Sequence, residues 1–347
     1  MALAILHLCL LAVDWGSLLL LPRLRRSYGP ALPPALALTT TRAALSGLAG
    51  LIVWAAAPRH TGGWLIGIGL LHLAITALTQ YGLWIEPFRL QVTHVRLASP
   101  RLDPTARPVR LLHIGDLHTE RLSTREERLQ RLIDALQPDV IVFSGDLINL
   151  SYQNDPASWE DVQAVIRRWE APYGVYAISG TPLVESAELF ARLIEGSRLR
   201  WLRDEWVPLD IHGQQIALLG VTCAHNNADD ARRMQQVAAQ APTDRFRLLL
   251  FHSPDIAPQA AEAGIDLYLC GHTHGGQVRL PLYGALITSS SLGKRFEMGR
   301  YAVGEMTLYV TRGIGVEGGS APRARLFCPP EITLWTLEGV PESAHAP

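Results

Sequence analysis

The sequence predicts a mixed α/β domain with two packed sheets flanked by helices, preceded by an N-terminal transmembrane helical region. Residues 2–85 are largely apolar, whereas most of the charged residues lie beyond residue 86. From residue 109 onward, strand patterns alternate with amphipathic helix patterns, which is typical of an α/β fold. After residue 277 the pattern becomes mostly strand, so we expect a second sheet to pack on the first.

The composition narrows the class of protein and its partners. With 347 residues, of which 48% are hydrophobic, the chain is long enough for one large domain or two smaller ones. The formal net charge is -1 and no dense basic stretch is present, so nucleic acid is not expected as a partner. The four cysteines show no paired spacing, which predicts free thiols and suits a reducing compartment.

The apolar N-terminal third contains three stretches of membrane-spanning length. They lie at about residues 2–21, 35–57 and 64–84, each close to the roughly 20 residues that a helix needs to cross a bilayer. The first stretch lacks the basic beginning and the small-residue cleavage site of a signal peptide. We therefore predict three transmembrane helices within residues 1–85, with membrane lipids as partners.

The arginines around these stretches predict the orientation of the chain. We assign Arg23, Arg25, Arg26 and Arg42 to the first connection, whereas the second connection offers only Arg59 and His60. Because arginine is enriched in cytoplasmic connections, the N-terminus is expected outside and the domain that follows the third helix in the cytoplasm. The predicted protein is thus an integral membrane protein.

One carboxylate, Asp14, lies inside the first apolar stretch. A carboxylate inside a membrane is costly, so such residues often have a function. A structural interpretation is also open, in which Asp14 is protonated or packed between helices.

The region between the membrane helices and the main domain is a predicted linker. Residues 86–107 are rich in proline and turn residues, and short alternation from residue 90 to residue 95 indicates a possible edge strand. The main domain then covers residues 108–340, and residues 341–347 form a loose tail.

The main domain begins with a predicted βαβ unit over residues 109–144. Val109–Ile114 and Val140–Phe143 are apolar enough to be buried strands. Between them, a capping box at Ser123–Glu126 begins an amphipathic helix, and Pro138 ends it. Two parallel strands joined by a helix are expected to have a right-handed crossover.

The pattern continues through the middle of the domain. Further helices are predicted near residues 156–169 and 184–194, with a strand at 174–179 between them. A hairpin follows, with strands over residues 206–209 and 215–219 around a His-Gly turn.

The most informative motif is Gly271-His272-Thr273-His274-Gly275-Gly276-Gln277, which follows an apolar strand-like run. His272 and His274 are two positions apart, so their imidazoles point to the same face of an extended segment. The flanking glycines let other groups approach closely. This arrangement is typical of metal ligands.

Other polar residues also follow predicted strands. Asp116 and His118 come after the first strand, Asp146 after the second, and His252 after the strand at residues 247–251. Because ligands gather at the carboxyl ends of strands in an α/β sheet, we expect these residues to meet the two histidines in one crevice. Mixed carboxylate and imidazole ligands suit manganese, iron or zinc. Taken singly, Asp116 also fits a turn cap, and His252 also fits a buried core histidine.

In this order, the motifs resemble those of the calcineurin-like metallophosphoesterases, whose pattern runs Asp-x-His, Gly-Asp, Gly-Asn-His-Asp/Glu, His and Gly-His-x-His. The resemblance covers roughly residues 108–337. The Gly-His-Thr-His-Gly-Gly-Gln form is similar to that of the membrane-associated branch with YkuE-like proteins. The resemblance implies a four-layer α/β/β/α sandwich and a hydrolase that cleaves a phosphoester or pyrophosphate bond in a phosphorylated small molecule or a lipid-linked substrate.

The resemblance also implies two divalent metal ions and assigns their ligands. The implied metal ligands are Asp116, His118, Asp146, His252, His272 and His274. Asp146 is expected to bridge the two ions, and Asp146 and His252 are the expected catalytic residues. Asp116, His118 and His274 complete the first site, while His252 and His272 serve the second.

One block departs from the family pattern. Where the family carries Gly-Asn-His-Asp, this chain has Gly180-Thr181-Pro182-Leu183. Thr181 stands in the place of an amide ligand of the second metal, and Pro182 in the place of a histidine that assists the leaving group. Water, Glu185 or His225–Asn226 are candidate substitutes for the missing ligand. Two functions follow: an active but altered hydrolase, or a catalytically impaired membrane protein that acts as a binding or regulatory module.

Overall fold

The computed structural model describes residues 2–56, 61–317 and 323–341. Of the predicted tail at residues 341–347, only residue 341 is described. Arg59 and His60 also lie outside the described residues. The chain begins with three apolar helices: α1 (Ala2–Leu20), α2 (Leu32–Ala56) and α3 (Thr61–Trp84).

Two of the apolar stretches are long and apolar enough to cross a membrane, judged by length and composition. They are Leu32–Ile52 and Gly63–Phe88, and a shorter apolar stretch covers Ile5–Leu20 in α1. Only 11% and 17% of the two longer stretches are buried inside the protein, so most of their apolar side chains do not pack in a protein core. The number of spans predicted within residues 1–85 stays a prediction.

Asp14 and Arg42 form an ion pair in the middle of the helical region. Arg42 Nη2 lies 2.6 Å from Asp14 Oδ2, and both side chains are fully buried. Arg42 also donates to the carbonyl of His72 at 3.0 Å. The assignment of Arg42 to the first connection is therefore wrong, because Arg42 lies inside α2 and is neutralised by a residue of α1. Asp14 is therefore packed between helices, as in the structural interpretation of this residue.

The main domain contains a first sheet of six strands. Its strands are β1 (Gln91–Ser99), β2 (Val109–Ile114), β3 (Val140–Phe143), β4 (Val175–Ala177), β5 (Leu199–Trp201) and β14 (Glu331–Gly339). Their spatial order is β1-β14-β2-β3-β4-β5. Strand β1 lies at the edge and runs parallel to β14, while β14 runs antiparallel to β2. The strands from β2 to β5 are parallel to one another, as the predicted βαβ unit requires.

A second sheet of six strands packs on the first. Its strands are β6 (Glu205–Ile211), β7 (Gln214–Gly220), β8 (Phe246–Leu250), β9 (Leu267–Cys270), β12 (Gly299–Val303) and β13 (Met306–Val310), in the order β12-β13-β9-β8-β7-β6. Strands β6 and β7 pair as the predicted antiparallel hairpin. A separate two-stranded hairpin consists of β10 (Arg279–Leu280) and β11 (Gly284–Ala285).

The alternation of side chains in each strand creates three apolar layers. In β2, Leu111 faces the second sheet, whereas its neighbour Leu112 faces the helices on the outside. In β8, Leu248 and Leu249 divide in the same way between the inter-sheet core and the other outer face. Helices α4 (Thr124–Leu136), α5 (Pro156–Ile166) and α6 (Ala187–Leu193) cover the first sheet, and α7 (Asn227–Gln240) and α8 (Ala257–Glu262) cover the second. The predicted α/β/β/α sandwich is confirmed.

Local capping sets the ends of the outer helices. The predicted capping box is present, because Ser123 caps α4 and the Glu126 carboxylate accepts from the backbone amide of Ser123 at 2.9 Å. Helix α6 begins three residues later than predicted, because the side chain of Ser186 caps it by accepting from the amide of Leu189. Residues 181–185 form a turn instead, with the amide of Glu185 donating to the carbonyl of Thr181.

Candidate metal centre

The six predicted site residues lie together at the carboxyl ends of β2, β3, β8 and β9. Three groups of side chains each offer ligand atoms within 4.8 Å of one another. These groups are Asp116 with His118 and His274, Asp116 with Asp146 and His252, and His225 with His252 and His272. A fourth group joins His118 and Asp146 to Glu317. The sheet edge thus brings together residues that are up to 158 positions apart in the chain, from Asp116 to His274.

The first group has its donor atoms directed at one point. Nε2 of His118 and Nε2 of His274 are only 3.0 Å apart, and both side chains are buried. The carboxylate of Asp116 accepts from the amide of His272 at 3.0 Å, which fixes its position. Two facing imidazole nitrogens beside a buried carboxylate match the donor set of a divalent metal site.

Asp146 lies between the two halves of the site. Its Oδ2 atom is 3.5 Å from His118 Nε2 and 3.3 Å from His252 Nε2. Its other oxygen, Oδ1, accepts from the amide of Thr181 at 2.7 Å. One carboxylate oxygen therefore faces donors of both groups, which is the position of a bridging ligand.

His252 is oriented by its second ring nitrogen. Nδ1 of His252 lies 2.8 Å from the carbonyl oxygen of Ser144, to which it donates, so that Nε2 faces Asp146. A ring nitrogen held by a backbone carbonyl is the usual way in which a metal-binding histidine is fixed.

The second half of the site contains three imidazoles and one hydroxyl. The rings of His225 and His252 lie 4.6 and 4.9 Å from that of His272, measured between centroids. Oγ1 of Thr181 lies 3.1 Å from His252 Nε2 and 3.3 Å from Asp146 Oδ2. The altered block thus places a hydroxyl in the centre of the site.

Burial sets the protonation of these groups. Burial, followed by the charge of His252, lowers the pKa of His272 to about 3, and burial also lowers the pKa of His274 well below its usual value. Burial raises the pKa of Asp116 to about 6. For Asp146, burial is the largest single effect and opposes ionisation, but the charge and hydrogen bond of His252 and the charges of His118 and His272 together lower the pKa. The neutral imidazoles of His272 and His274 and the ionised carboxylate of Asp146 are the forms that bind metals.

Five of the six predicted site residues share an uncommon backbone conformation. Asp116, His118, Asp146, His272 and His274 all have positive φ angles, between 43° and 70°. Such angles are uncommon for residues other than glycine and cluster at functional sites. The loops also pass very close to one another, since a Cβ atom on Gly180 would lie 2.1 Å from Asp146 Oδ1.

Two carboxylates that carry no motif also belong to the site. Glu317 Oε2 lies 3.5 Å from His118 Nε2 and 3.8 Å from His274 Nε2. The buried carboxylate of Glu185 accepts from the amides of Asp146, Leu147 and Gly180 at 2.6 to 2.8 Å. Both of its oxygens hold backbone amides, and Glu185 belongs to none of the four groups of donor atoms, so the structure does not place it as the substitute metal ligand. No local pattern identifies Glu317, whereas Glu185 is a candidate from the sequence and only its contacts show that it binds backbone amides.

The fold and this site together define the class of metal-dependent phosphoesterases. Residues 109–276 match the family model described as calcineurin-like phosphoesterase. The chain is 29% identical over 276 residues to the uncharacterized metallophosphoesterase YkuE of Bacillus subtilis (strain 168), an alignment that covers 76% of this chain and 92% of that protein. It is 28% identical over 258 residues to the phosphodiesterase YaeI of Escherichia coli (strain K12), covering 73% of this chain and 90% of that protein.

A third relative is the UDP-2,3-diacylglucosamine pyrophosphatase LpxG of Chlamydia muridarum (strain MoPn / Nigg). It is 23% identical over 303 residues, which cover 72% of this chain and 90% of that protein. The chain therefore contains a calcineurin-like metallophosphoesterase domain and is related to YkuE and YaeI. The predicted family and its YkuE-like branch are confirmed, and the relatives support a phosphoesterase hydrolase activity. The ligand roles of the six residues stay a prediction.

Proposed function

We propose that this protein is a membrane-anchored, metal-dependent phosphohydrolase that cleaves a phosphoester or pyrophosphate bond in a lipid-linked substrate at the cytoplasmic face of the membrane. The observation that carries the proposal is the position of Asp146. Its Oδ2 atom faces His118 on one side and His252 on the other, which joins two groups of metal-binding donors into one centre.

The residues present fit two divalent cations of the manganese, iron or zinc type. The first site would be held by Asp116, His118 and His274, the second by His252 and His272, with Asp146 shared. When bound, such ions supply the positive charge that polarises a phosphoryl oxygen and stabilises the entering and leaving oxygens. The chain contributes the fixed geometry, because Glu185 and the Ser144 carbonyl hold Asp146 and His252 in place.

The altered block restricts the substrate. Pro182 has no group that can donate a proton, so the leaving oxygen receives no help from that position. General acid assistance is typically worth about a hundredfold to ten-thousandfold in rate. A substrate whose leaving group is already a stable anion, such as the phosphate of a pyrophosphate, loses least. We therefore favour a pyrophosphate or another activated linkage.

The membrane part of the proposal rests on α2 and α3. Both carry stretches that are long and apolar enough to cross a membrane, and most residues of these stretches are not buried inside the protein. Leu21, Ala35 and Leu83 pack together, which places the end of α1, the beginning of α2 and the end of α3 side by side. Arg23, Arg25 and Arg26 follow α1 at this same end, so it is the end expected in the cytoplasm.

An apolar surface beside the metal centre supports a lipid-linked substrate. Leu282, Tyr283 and Ile287 are exposed on the β10–β11 hairpin and the residues that follow it. The same loop continues to Ser289, whose carbonyl oxygen lies 3.1 Å from His272 Nε2. A groove of about 530 Å³ lies between this hairpin and Phe327. Exposed apolar side chains gathered at one place mark a surface that binds lipid or protein.

One wall of the groove is attached to the segment that follows α3. Phe327 is half exposed, and its amide donates to Glu86 Oε2 at 3.0 Å, directly after α3. An acyl chain that leaves the bilayer at the end of α3 would meet Phe327 first and the β10–β11 hairpin next. The phosphate of the same molecule would then lie at the histidines.

The class of activity is tested with full-length protein purified in detergent, supplied with manganese or zinc and bis(p-nitrophenyl) phosphate. We expect two tightly held ions per chain and metal-dependent release of p-nitrophenol. The variant Asp146→Asn should lower the rate about a hundredfold or more, because the shared ligand is weakened. Equal background rates for both proteins, with at most one ion per chain, would instead support the binding or regulatory module.

A further inference from the structure

We propose that His225 is the third protein nitrogen ligand of the second metal ion and takes the place of the missing family amide. This inference rests on the proposed function and concerns the composition of the same centre. It makes the second site rich in nitrogen, with three imidazoles and one shared carboxylate, so that zinc is the ion expected there.

The distances place His225 within the second group. His225, His252 and His272 each offer one ring nitrogen, and these atoms lie within 4.8 Å of one another. His225 Nε2 also lies 3.2 Å from Thr181 Oγ1, the hydroxyl that stands where the family carries its amide ligand. His225 therefore reaches the position that Thr181 leaves short of a donor.

The loop that carries His225 is held on both sides. The buried carboxylate of Asp230 accepts from the amide of Ala224 at 2.9 Å and from the amide of Asn226 at 3.2 Å. The side chain of Asn226 caps α7 by accepting from the amide of Asp229 at 3.2 Å, which removes Asn226 as an alternative ligand. A ligand on a loop fixed in this way is pre-positioned for its ion.

The backbone of His225 matches that of the other site residues. Its φ angle is 53°, within the range of the five positive values at Asp116, His118, Asp146, His272 and His274. His225 is also exposed, whereas His252 is fully buried, so it lies at the mouth of the site where an ion enters.

The donor atoms of the two sites predict different ions. The first site has two imidazoles with the carboxylates of Asp116 and Asp146, and Glu317 lies nearby, so it offers more carboxylates and fewer imidazoles than the second site. Oxygen-rich sites suit manganese, whereas imidazole-rich sites suit zinc. The two sites together predict one manganese or iron ion and one zinc ion per chain.

The test is metal content, measured by mass spectrometry on full-length protein that has been stripped with chelator, incubated with zinc and manganese, and dialysed. Wild type should hold two ions per chain, one of them zinc. The variant His225→Ala should keep about one ion per chain, with an affinity of the second site for zinc at least about tenfold lower. His94→Ala, a change of an exposed histidine on β1, is the matched control and should retain two ions.

A rescue variant makes the test independent of activity and of misfolding. Thr181→Asn introduces the family's amide ligand, so His225→Ala/Thr181→Asn should regain the second ion. Cobalt-substituted protein provides a spectroscopic signature, and its visible absorption should change in His225→Ala and not in His94→Ala. Two ions of unchanged affinity in His225→Ala, with an unchanged cobalt spectrum, would overturn the proposal. In that case, loss of both ions in Asp146→Asn would leave the proposed function standing.

Discussion

At the scale of single residues, Glu185 is the group that holds two loops of the metal centre together. Its carboxylate accepts from Asp146 and Leu147 in the loop after β3 and from Gly180 in the loop after β4. Its side chain is buried, and burial together with the charge of Asp146 raises its pKa to about 7. Because both oxygens are in use, an amide side chain of the same length does not supply the same set of acceptors.

We expect Glu185→Gln to lower the free energy of unfolding by about 1–3 kcal/mol. Glutamine replaces one acceptor oxygen by an NH2 group, which leaves at least one buried backbone amide without an acceptor. Urea unfolding of the full-length protein, followed by tryptophan fluorescence, measures the change. Glu160→Gln on the exposed face of α5 is the matched control, with an effect within about 0.5 kcal/mol. Equal stability of Glu185→Gln and wild type contradicts this role.

The sequence predicts part of this centre, and the reason is physical. Asp116, His118, Asp146, His272 and His274 lie in short motifs directly after strands, where parallel topology forces them together. Glu317 and Glu185 join the centre only through tertiary contacts of loops, which leave no periodicity or spacing in the chain. His225 is intermediate, because the sequence offers it as one of several substitutes and only the hydrogen bonds of Asn226 and Glu185 remove the others.

At the scale of elements, the strands and the sandwich follow from alternation, whereas helix ends depend on single caps. The alternation at Leu111 and Leu112 fixes which face of β2 packs against the second sheet. Helix α6 begins at Ala187 because the side chain of Ser186 caps it. The spacing of apolar residues does not reveal such a cap. Strand β5, with only three residues, is too short for a period to show.

The β10–β11 hairpin provides the prediction at this scale. Leu282 and Ile287 are exposed, and burying an apolar side chain of this size against an acyl chain contributes about 1.5–3 kcal/mol. With a diacylated pyrophosphate as the probe for the proposed lipid-linked substrate, the variant Leu282→Ser should therefore lower kcat/KM about tenfold to a hundredfold. Hydrolysis of bis(p-nitrophenyl) phosphate, which has no acyl chain, should stay unchanged in the same variant. Equal losses on both substrates would indicate that the hairpin supports the metal centre and not a lipid.

At the scale of the whole molecule, the connection between α1 and α2 contacts the main domain and so attaches the three N-terminal helices to it. The amide of Tyr28 donates to the carboxylate of Glu120, and Arg26 donates to Thr124 Oγ1 at the beginning of α4. At the end of α3, the amide of Arg325 donates to the carbonyl of Gly82 at 3.0 Å. The main domain thus contacts the arginine-bearing end of the helices.

This attachment links the candidate metal centre to the three N-terminal helices. Glu86 accepts from the amides of Phe327 and Cys328, and the thiol of Cys328 lies 3.2 Å from the carbonyl oxygen of His274, to which it donates. Only a few bonds therefore separate the last turn of α3 from a predicted metal ligand. In the proposed topology, Arg23, Arg25 and Arg26 lie on the cytoplasmic side, which is then also the side of the metal centre.

We expect a cysteine introduced at Glu160 to be protected from a membrane-impermeant maleimide in intact cells and labelled after lysis. The position is exposed on the main domain, so only the membrane can shield it. Of the native cysteines, Cys9 is exposed and is replaced by serine, while Cys223, Cys270 and Cys328 are buried and unreactive while the protein is folded. Ala55→Cys, at the opposite end of α2, is the control and should be labelled in intact cells. Labelling of the Glu160→Cys protein before lysis would place the metal centre outside, where its lipid-linked substrate would have to be sought in the outer leaflet.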